Sequence, residues 1–348
     1  MGSGTVWVGL DLGLARTNIC VLDEAGVPLR EQPCATILGA LEEALAPFPK
    51  PTIGMIAVEA GSDTHIVRKL LDRGYPVAIF EARKASKFLA IRRNKTDSSD
   101  ARGLADLARL GRNTVSQVHL KSLECQQLRS KLIMRHKLVH LRLAAEGAVR
   151  SRLVLYGRRF KSPAAYGTIR EHVEKELAQL RTEEGIDLFD DVLPLVEICD
   201  GLRSYMKRLD LELAQRARDH PVCNLLMEVP GVGPITALSF YSAIEDPDRF
   251  QHASDVAAYL GLVPRRYQSG DVSRTVGITK NGSKLTRSHL VTAATVLRAR
   301  APDCALKDWA LALKERVGSS RSRVALARKL AIVMLSMWKR GRRFEPYP

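Results

Sequence analysis

The chain has 348 residues, 45% of them hydrophobic and 26% charged, with a formal net charge of +16. That length holds two or three domains with a real core, and that composition excludes a disordered or fibrous chain. No apolar run approaches the roughly 20 residues of a membrane span, the N-terminus lacks the charged and apolar regions of a signal peptide, and the six cysteines include no C-x-x-C pair, which points to a reducing cytoplasm rather than a disulfide or zinc framework.

In chain order, "TVWVGLD" (5–11) alternates apolar residues as a strand does and ends on Asp11. "TNICVLD" (17–23) reads as a second strand and "VPLREQPCAT" (27–36) as a third. "ILGALEEALAPF" (37–48) has helical periodicity, and "TIGMIAVEA" (52–60) is a nearly continuous apolar run, the mark of a buried central strand. A helix over 62–74 with a Ser cap and terminal Gly follows, then a strand over 75–82 and a basic helix over 83–93. The order β-β-β-α-β-α-β-α predicts a mixed sheet of the ribonuclease H type.

From 119 to 156 the periodicity is helical with no breaker but Gly147, and a second helical stretch covers 188–219. Two long helices separated by a polar loop predict an antiparallel hairpin arm. The last third opens with "LLMEVPGVGPITALSFYSAI" (225–244), continues through a turn-rich 262–284 and closes with helical patterns over 285–300 and 319–340. The charge is uneven: +1 over residues 1–110, +6 over 111–150, −1 over 151–225 and +10 over 226–348. Concentrated positive charge points to a polyanion, most often nucleic acid.

Four acids stand out against that background. Asp11 ends the first strand, Glu59 ends the central one, and Asp97 and Asp100 open a helix with i, i+3 spacing that keeps them on one face. In a ribonuclease-H-like sheet the first and central strands are neighbours, so these carboxylates converge. Converging carboxylates repel unless a cation sits among them. Mg²⁺ takes hard oxygen ligands and bridges carboxylates to phosphate. Arg92, Arg93 and Lys95 just upstream would attract a phosphate backbone. Taken singly, Asp97 or Ser98 also reads as a helix cap and Asp100 as a dipole partner.

In "VPGVGPITA" (229–237), Gly231 and Gly233 separate two apolar helical patterns, in the manner of a helix-hairpin-helix that offers backbone amides to phosphate, or of a plain turn. In "RRYQSGDVSRTVGITKNGSK", Ser269 precedes a glycine amid Arg265, Arg266, Arg274, Lys280 and Lys284. It reads as an exposed nucleophile beside cations or as a polar turn residue. His136 and His140 have i, i+4 spacing without an evident third ligand.

"GLDLG", "AVEA", "RRNKTDSSDARGLADLARLG", "VPGVGPITA" and "AAYLGLVPRRYQSGDVSRTVGITKNGSKLTRSHLVTAA" together resemble the IS110-class transposases of bacterial insertion sequences, bridge-RNA-guided recombinases akin to pilin-gene DNA invertases. The resemblance covers nearly the whole chain. It implies a RuvC-like DEDD domain (1–112), a helical coiled-coil arm (113–222) and a mainly helical C-terminal transposase domain (223–348). It implies an acidic tetrad of Asp11, Glu59, Asp97 and Asp100 holding Mg²⁺, and a serine nucleophile at Ser269, with Ser273 as fallback, that joins covalently to DNA. It implies a homo-oligomer, dimer to tetramer, whose protomers share working sites, and a structured noncoding RNA that pairs with donor and target DNA. A RuvC-type structure-selective nuclease would need only the acids and a basic cleft. A non-catalytic nucleic-acid-binding protein would need neither acids nor serine. An actin-like sugar kinase would share "GLDLG" but needs a second phosphate loop and an adenosine pocket, which the sequence does not offer.

Overall fold

Two largely buried strands and a more polar third pair in sequence order. β1 (Val6–Leu12) runs antiparallel to β2 (Arg16–Leu22), which runs antiparallel to β3 (Pro28–Ala35). Helix α1 (Leu38–Leu45) then carries the chain back so that β4 (Ile53–Glu59) lies parallel to β1, and α2 (Thr64–Asp72) does the same for β5 (Val77–Phe80). The sheet order is β3-β2-β1-β4-β5, a mixed sheet that fits the RuvC-like arrangement. A computed structural model describes residues 4–61, 64–89, 97–110, 117–161, 167–269 and 272–347, with backbone only at 88–89, 97–99, 266–269 and 272–276.

The apolar run of β4 is buried because helices cover both faces of the sheet. On one face Val8, Leu10, Ile56 and Val58 pack with Leu41 and Leu45 of α1 and with Ile66 and Leu70 of α2. On the other, Met55, Ala57 and Phe80 meet Ala85 of α3 (Ala82–Leu89) and Leu104, Leu107 and Ala108 of α4 (Asp97–Leu110).

The chain forms two compact units, residues 1–121 and 122–348. In the second, α5 (Leu123–Leu155) and α7 (Phe189–Asp219) form the expected antiparallel hairpin. Ion pairs between them set its register. Arg135 holds Asp210 through two hydrogen bonds, and the Arg135 Nη2 to Asp210 Oδ2 bond is 2.8 Å. Further along, buried Arg203 donates to Glu146 Oε1 at 2.6 and 3.0 Å and to the Gly167 carbonyl at 2.8 Å, and Arg142 adds a bond to Glu146 at 2.7 Å.

The segment expected as a polar loop between the arms contains a further helix, α6 (Arg170–Glu184). It turns Val173, Leu177 and Leu180 inward, where the first two join Val149, Leu153, Val192 and Val196. The near ends of the arms share a different core. Leu128, Leu132, Leu209 and Leu213 pack with the helices of the last third. Those helices are α8 (Pro221–Leu226), α9 (Pro234–Ile244), α10 (Asp255–Tyr259), α11 (Lys284–Arg300), α12 (Ala305–Val317) and α13 (Ser319–Arg340). Within the turn-rich 262–284 the chain forms an antiparallel strand pair, β6 (Pro264–Ser269) against β7 (Val272–Ile278). No helix among the described residues is long and apolar enough to cross a membrane.

Glu146 anchors the arm electrostatically. Burial alone would raise its carboxyl, but the hydrogen bonds and charge of Arg203 and Arg142 hold it below its usual 4.5. A carboxylate with a depressed folded pKa adds stability above its unfolded value and loses it as pH falls through the folded value. Glu146→Ala leaves a buried arginine unpaired, so it is expected to destabilise the second unit by about 3–5 kcal/mol at pH 7. In urea titrations this penalty should shrink below pH 4.5; a penalty independent of pH would contradict the assignment.

Candidate active site

The parallel register of β1 and β4 pairs Gly9 with Ala57 and Leu10 with Val58. Asp11 and Glu59 stand one step further along, on strands about 4.8 Å apart. Side chains alternate between faces of a strand. Leu10 and Val58 enter the α1–α2 core, so Asp11 and Glu59 take the other face, with Gly9 and Ala57. That is the face α4 covers.

The approach of α4 is close because Gly9 has no side chain. A Cβ there would fall 2.0 Å from the Ala101 carbonyl oxygen and 2.4 Å from the Ala105 nitrogen. The helix runs antiparallel to β1. At its C-terminal end, Arg109 donates to the Glu24 carbonyl at 3.3 Å and lies over Gly26. These residues follow Leu22, which pairs with Trp7 near the start of β1. The first turn of α4, Asp97–Asp100, is therefore at the opposite end, where Asp11 and Glu59 stand. Asp97 precedes Ala101 by four residues, on the same line of the helix. Asp11, Glu59 and Asp100 are half-buried.

The acidic face also holds Asn18, which no sequence motif marks. It pairs with Asp11 across β1 and β2. Its neighbours Cys20 and Leu22 pack on Ala101 and Ala105, so Asn18 shares the acidic face and brings an amide beside Asp11. Nothing local distinguishes an asparagine inside "RTNICVL"; only the strand register does.

This donor set suits a divalent cation of the hard class, because carboxylate and amide oxygens are its preferred ligands. Among the described side chains no three of His, Cys, Asp or Glu are drawn together as a metal site, and the Asp97 side chain is not one of those described. Arg92, Arg93 and Lys95 lie outside the described residues.

In the second unit, Ser269 ends β6 and pairs with Val272, while Ser273 pairs with Gln268. Arg265, Lys280 and Lys284 are exposed on and beside this hairpin; Arg266 and Arg274 lie in its strands, with only their backbone described. Gly231 and Gly233 sit between α8 and α9. Gly231 lets α11 approach, since a Cβ there would lie 2.5 Å from the Ala293 carbonyl oxygen, whereas Gly233 caps α9 with open space around it. His136 and His140 meet at 3.1 Å along α5.

Two protein-family models match the chain. A DEDD transposase model of the IS110 type matches residues 8–157, and the model described as "Transposase IS116/IS110/IS902 family" matches residues 223–309. Among curated proteins, the transposase for insertion sequence element IS1111A of Coxiella burnetii is 26% identical, covering 96% of this chain and 89% of its own length. The transposase for insertion sequence element IS1328 of Yersinia enterocolitica is also 26% identical, over 97% of this chain and 98% of its own. The pilin gene-inverting protein of Moraxella bovis is 28% identical over 51% of this chain and 56% of its own.

The account of α4 yields a direct test. Gly9→Ala has no room to relax against helix backbone, so it is expected to cost at least the about 1–3 kcal/mol typical of an overpacked core. It should also speed amide exchange along α4. A variant with wild-type melting and exchange would show that α4 does not rest on β1.

Proposed function

Because the chain belongs to the IS116/IS110/IS902 family of transposases, enzymes that cleave and rejoin DNA, we propose that it exchanges strands through an acidic cation site and a serine nucleophile. The observation that carries this reading is that Asp11 and Glu59 end adjoining strands on the face where α4 begins with Asp97 and Asp100. The four acids hold Mg²⁺ in the proposal, with residues 1–112 as a RuvC-like DEDD domain. When bound, the ion stabilises charge on the oxygens around the scissile phosphorus.

Ser269 is the nucleophile in this reading. Its Oγ bonds to phosphorus as the bond from phosphorus to a deoxyribose oxygen breaks. The serine proton passes to a base and the departing oxygen gains a proton. A hydroxyl of the partner strand then attacks the phosphoserine and releases the serine. The phosphodiester's energy is conserved, so the strands rejoin without ATP. Arg265, Arg266, Arg274, Lys280 and Lys284 hold backbone phosphates around the serine, and Gly231 and Gly233 offer amides to others. Arg92, Arg93 and Lys95 lead the backbone toward the acids.

Sequence choice, in the same reading, belongs to a structured noncoding RNA that pairs with donor and target DNA. The blocks of +6 over 111–150 and +10 over 226–348 fit so much polyanion. The arm (113–222) serves assembly of a dimer to tetramer, and the C-terminal transposase domain (223–348) brings its serine to the acids of another protomer. The similarity to a pilin gene-inverting protein supports recombination over simple cutting.

Purified protein, the noncoding RNA flanking its gene and paired DNA substrates with Mg²⁺ should give a DNA-linked protein band on a denaturing gel. Ser269→Ala is expected to abolish the band and Ser273→Ala to keep it; Asp11→Asn or Glu59→Gln should abolish cleavage. If Ser269→Ala still cuts DNA with Mg²⁺ and never forms the band in any variant, the protein is a RuvC-type nuclease instead.

A further inference from the structure

The hairpin that carries Ser269 is anchored at both feet by one side chain. Before β6 the chain runs through Tyr259, Leu260 and Gly261; after β7 it runs through Lys280, Asn281 and Gly282. These two feet interlock as backbone against backbone. A Cβ on Gly261 would lie 2.3 Å from the Asn281 nitrogen, and one on Gly282 would lie 2.1 Å from the Tyr259 carbonyl oxygen. Both glycines also have positive φ, 66° and 68°. The Thr279 amide donates to the Val263 carbonyl at 2.9 Å and the Lys280 amide to the Gly261 carbonyl at 3.1 Å.

Within the interlock Lys280 has φ 59°, a left-handed conformation that costs a side-chain-bearing residue about 1–2 kcal/mol. Such strain persists only where the surroundings over-determine it. Arg287, from the first turns of α11, supplies that determination. Its Nη1 donates to the Leu260 carbonyl at 2.9 Å and to the Asn281 carbonyl, one on each foot, with the Gly282 carbonyl at 3.5 Å. Arg287 is half-buried and makes no ion pair among the described residues. Its charge is directed at backbone oxygens. Ser283 fixes the start of α11 by accepting from the Thr286 amide at 3.2 Å, so the guanidinium is held from a helix that itself packs in the core through Leu290, Ala293 and Leu297.

We propose that Arg287 is a positioning residue for strand exchange, clamping the two feet of the β6–β7 hairpin so that the strand bearing Ser269 is presented in one fixed pose. The proposal rests on the reading of Ser269 as nucleophile. A guanidinium suits the task because the two hydrogens of its planar Nη1 point in fixed directions toward the Leu260 and Asn281 carbonyls, whereas a lysine ammonium rotates on a flexible stem. Misplacing a nucleophile by about 1 Å costs on the order of 100-fold in rate while leaving distant binding contacts intact.

The test uses the full chain with its flanking noncoding RNA and a labelled plasmid carrying the element's own ends. Arg287→Ala is expected to lower the yield of covalent protein–DNA species about 100-fold, with the affinity for the RNA–DNA assembly nearly unchanged. Hydrogen exchange should accelerate at the Thr279 and Lys280 amides and not in the arm. A loss confined to adduct yield, with melting and assembly affinity near wild type, marks positioning; a merely structural loss would lower melting and affinity as well. Should Arg287→Ala fail to fold, Arg287→Gln, which keeps one donor group, is expected to fold with intermediate exchange and yield. Wild-type exchange at Thr279 and Lys280, or wild-type adduct yield in a folded Arg287 variant, would overturn the clamp. Adduct that persists in Ser269→Ala would overturn the serine assignment instead, and with it the catalytic part of this proposal.

Discussion

A missing side chain sets the geometry of the first unit. At Gly9 the backbone of β1 touches the backbone of α4 through Ala101 and Ala105. Any other residue would lift the helix off the sheet. Because α4 lies directly on β1, its first turn is fixed over the strand end that carries Asp11, and the β1–β4 register brings Glu59 alongside. The small residues at 101, 105 and 108 and the larger ones at 104 and 107 fill this face. Packing thus decides where the acids are. In the proposed reading a divalent cation offsets the mutual repulsion of these carboxylates.

The second unit uses the same economy of contact with different means. In the arm, long helices are registered by buried and half-buried ion pairs, Glu146 with Arg203 and Arg142, and Asp210 with Arg135. At the base of the hairpin, two glycines and one arginine fix a loop that carries many charges and few apolar residues. Both devices spend arginine on structure in a chain whose surplus of cations suits a polyanion. Of its 54 basic residues, therefore, not every one belongs to the nucleic-acid surface.

Much of the first unit was legible in the sequence. Strands β1, β2, β4 and β5 are apolar runs that end in polar residues or turns, and Asp11 and Glu59 stand out because acids at the ends of such runs are costly without a purpose. The Asp-x-x-Asp opening of α4 showed as a helix start. The polar neighbours were harder to see. Asn18 joins the acidic face only through strand pairing. Helix α6 hides in "REHVEKELAQLRTEE", where charge masks three inward residues, Val173, Leu177 and Leu180. The β6–β7 hairpin hides in "RRYQSGDVSRTV", although Gly-Asp between two strand-forming runs is a hairpin signal. Arg287 carries no local signature at all. Its role comes from the carbonyls of residues 260 and 281, which folding brings to it.

The central claim is that one divalent cation is shared by the ends of β1 and β4 and the start of α4. Replacing it with Fe²⁺ and adding ascorbate and peroxide generates hydroxyl radicals at the bound ion, which cut the nearby backbone. The account predicts three cuts, close to residues 11, 59 and 97–100, all suppressed by excess Mg²⁺. Cuts at one of these segments alone, or at sites elsewhere that Mg²⁺ does not suppress, would contradict it.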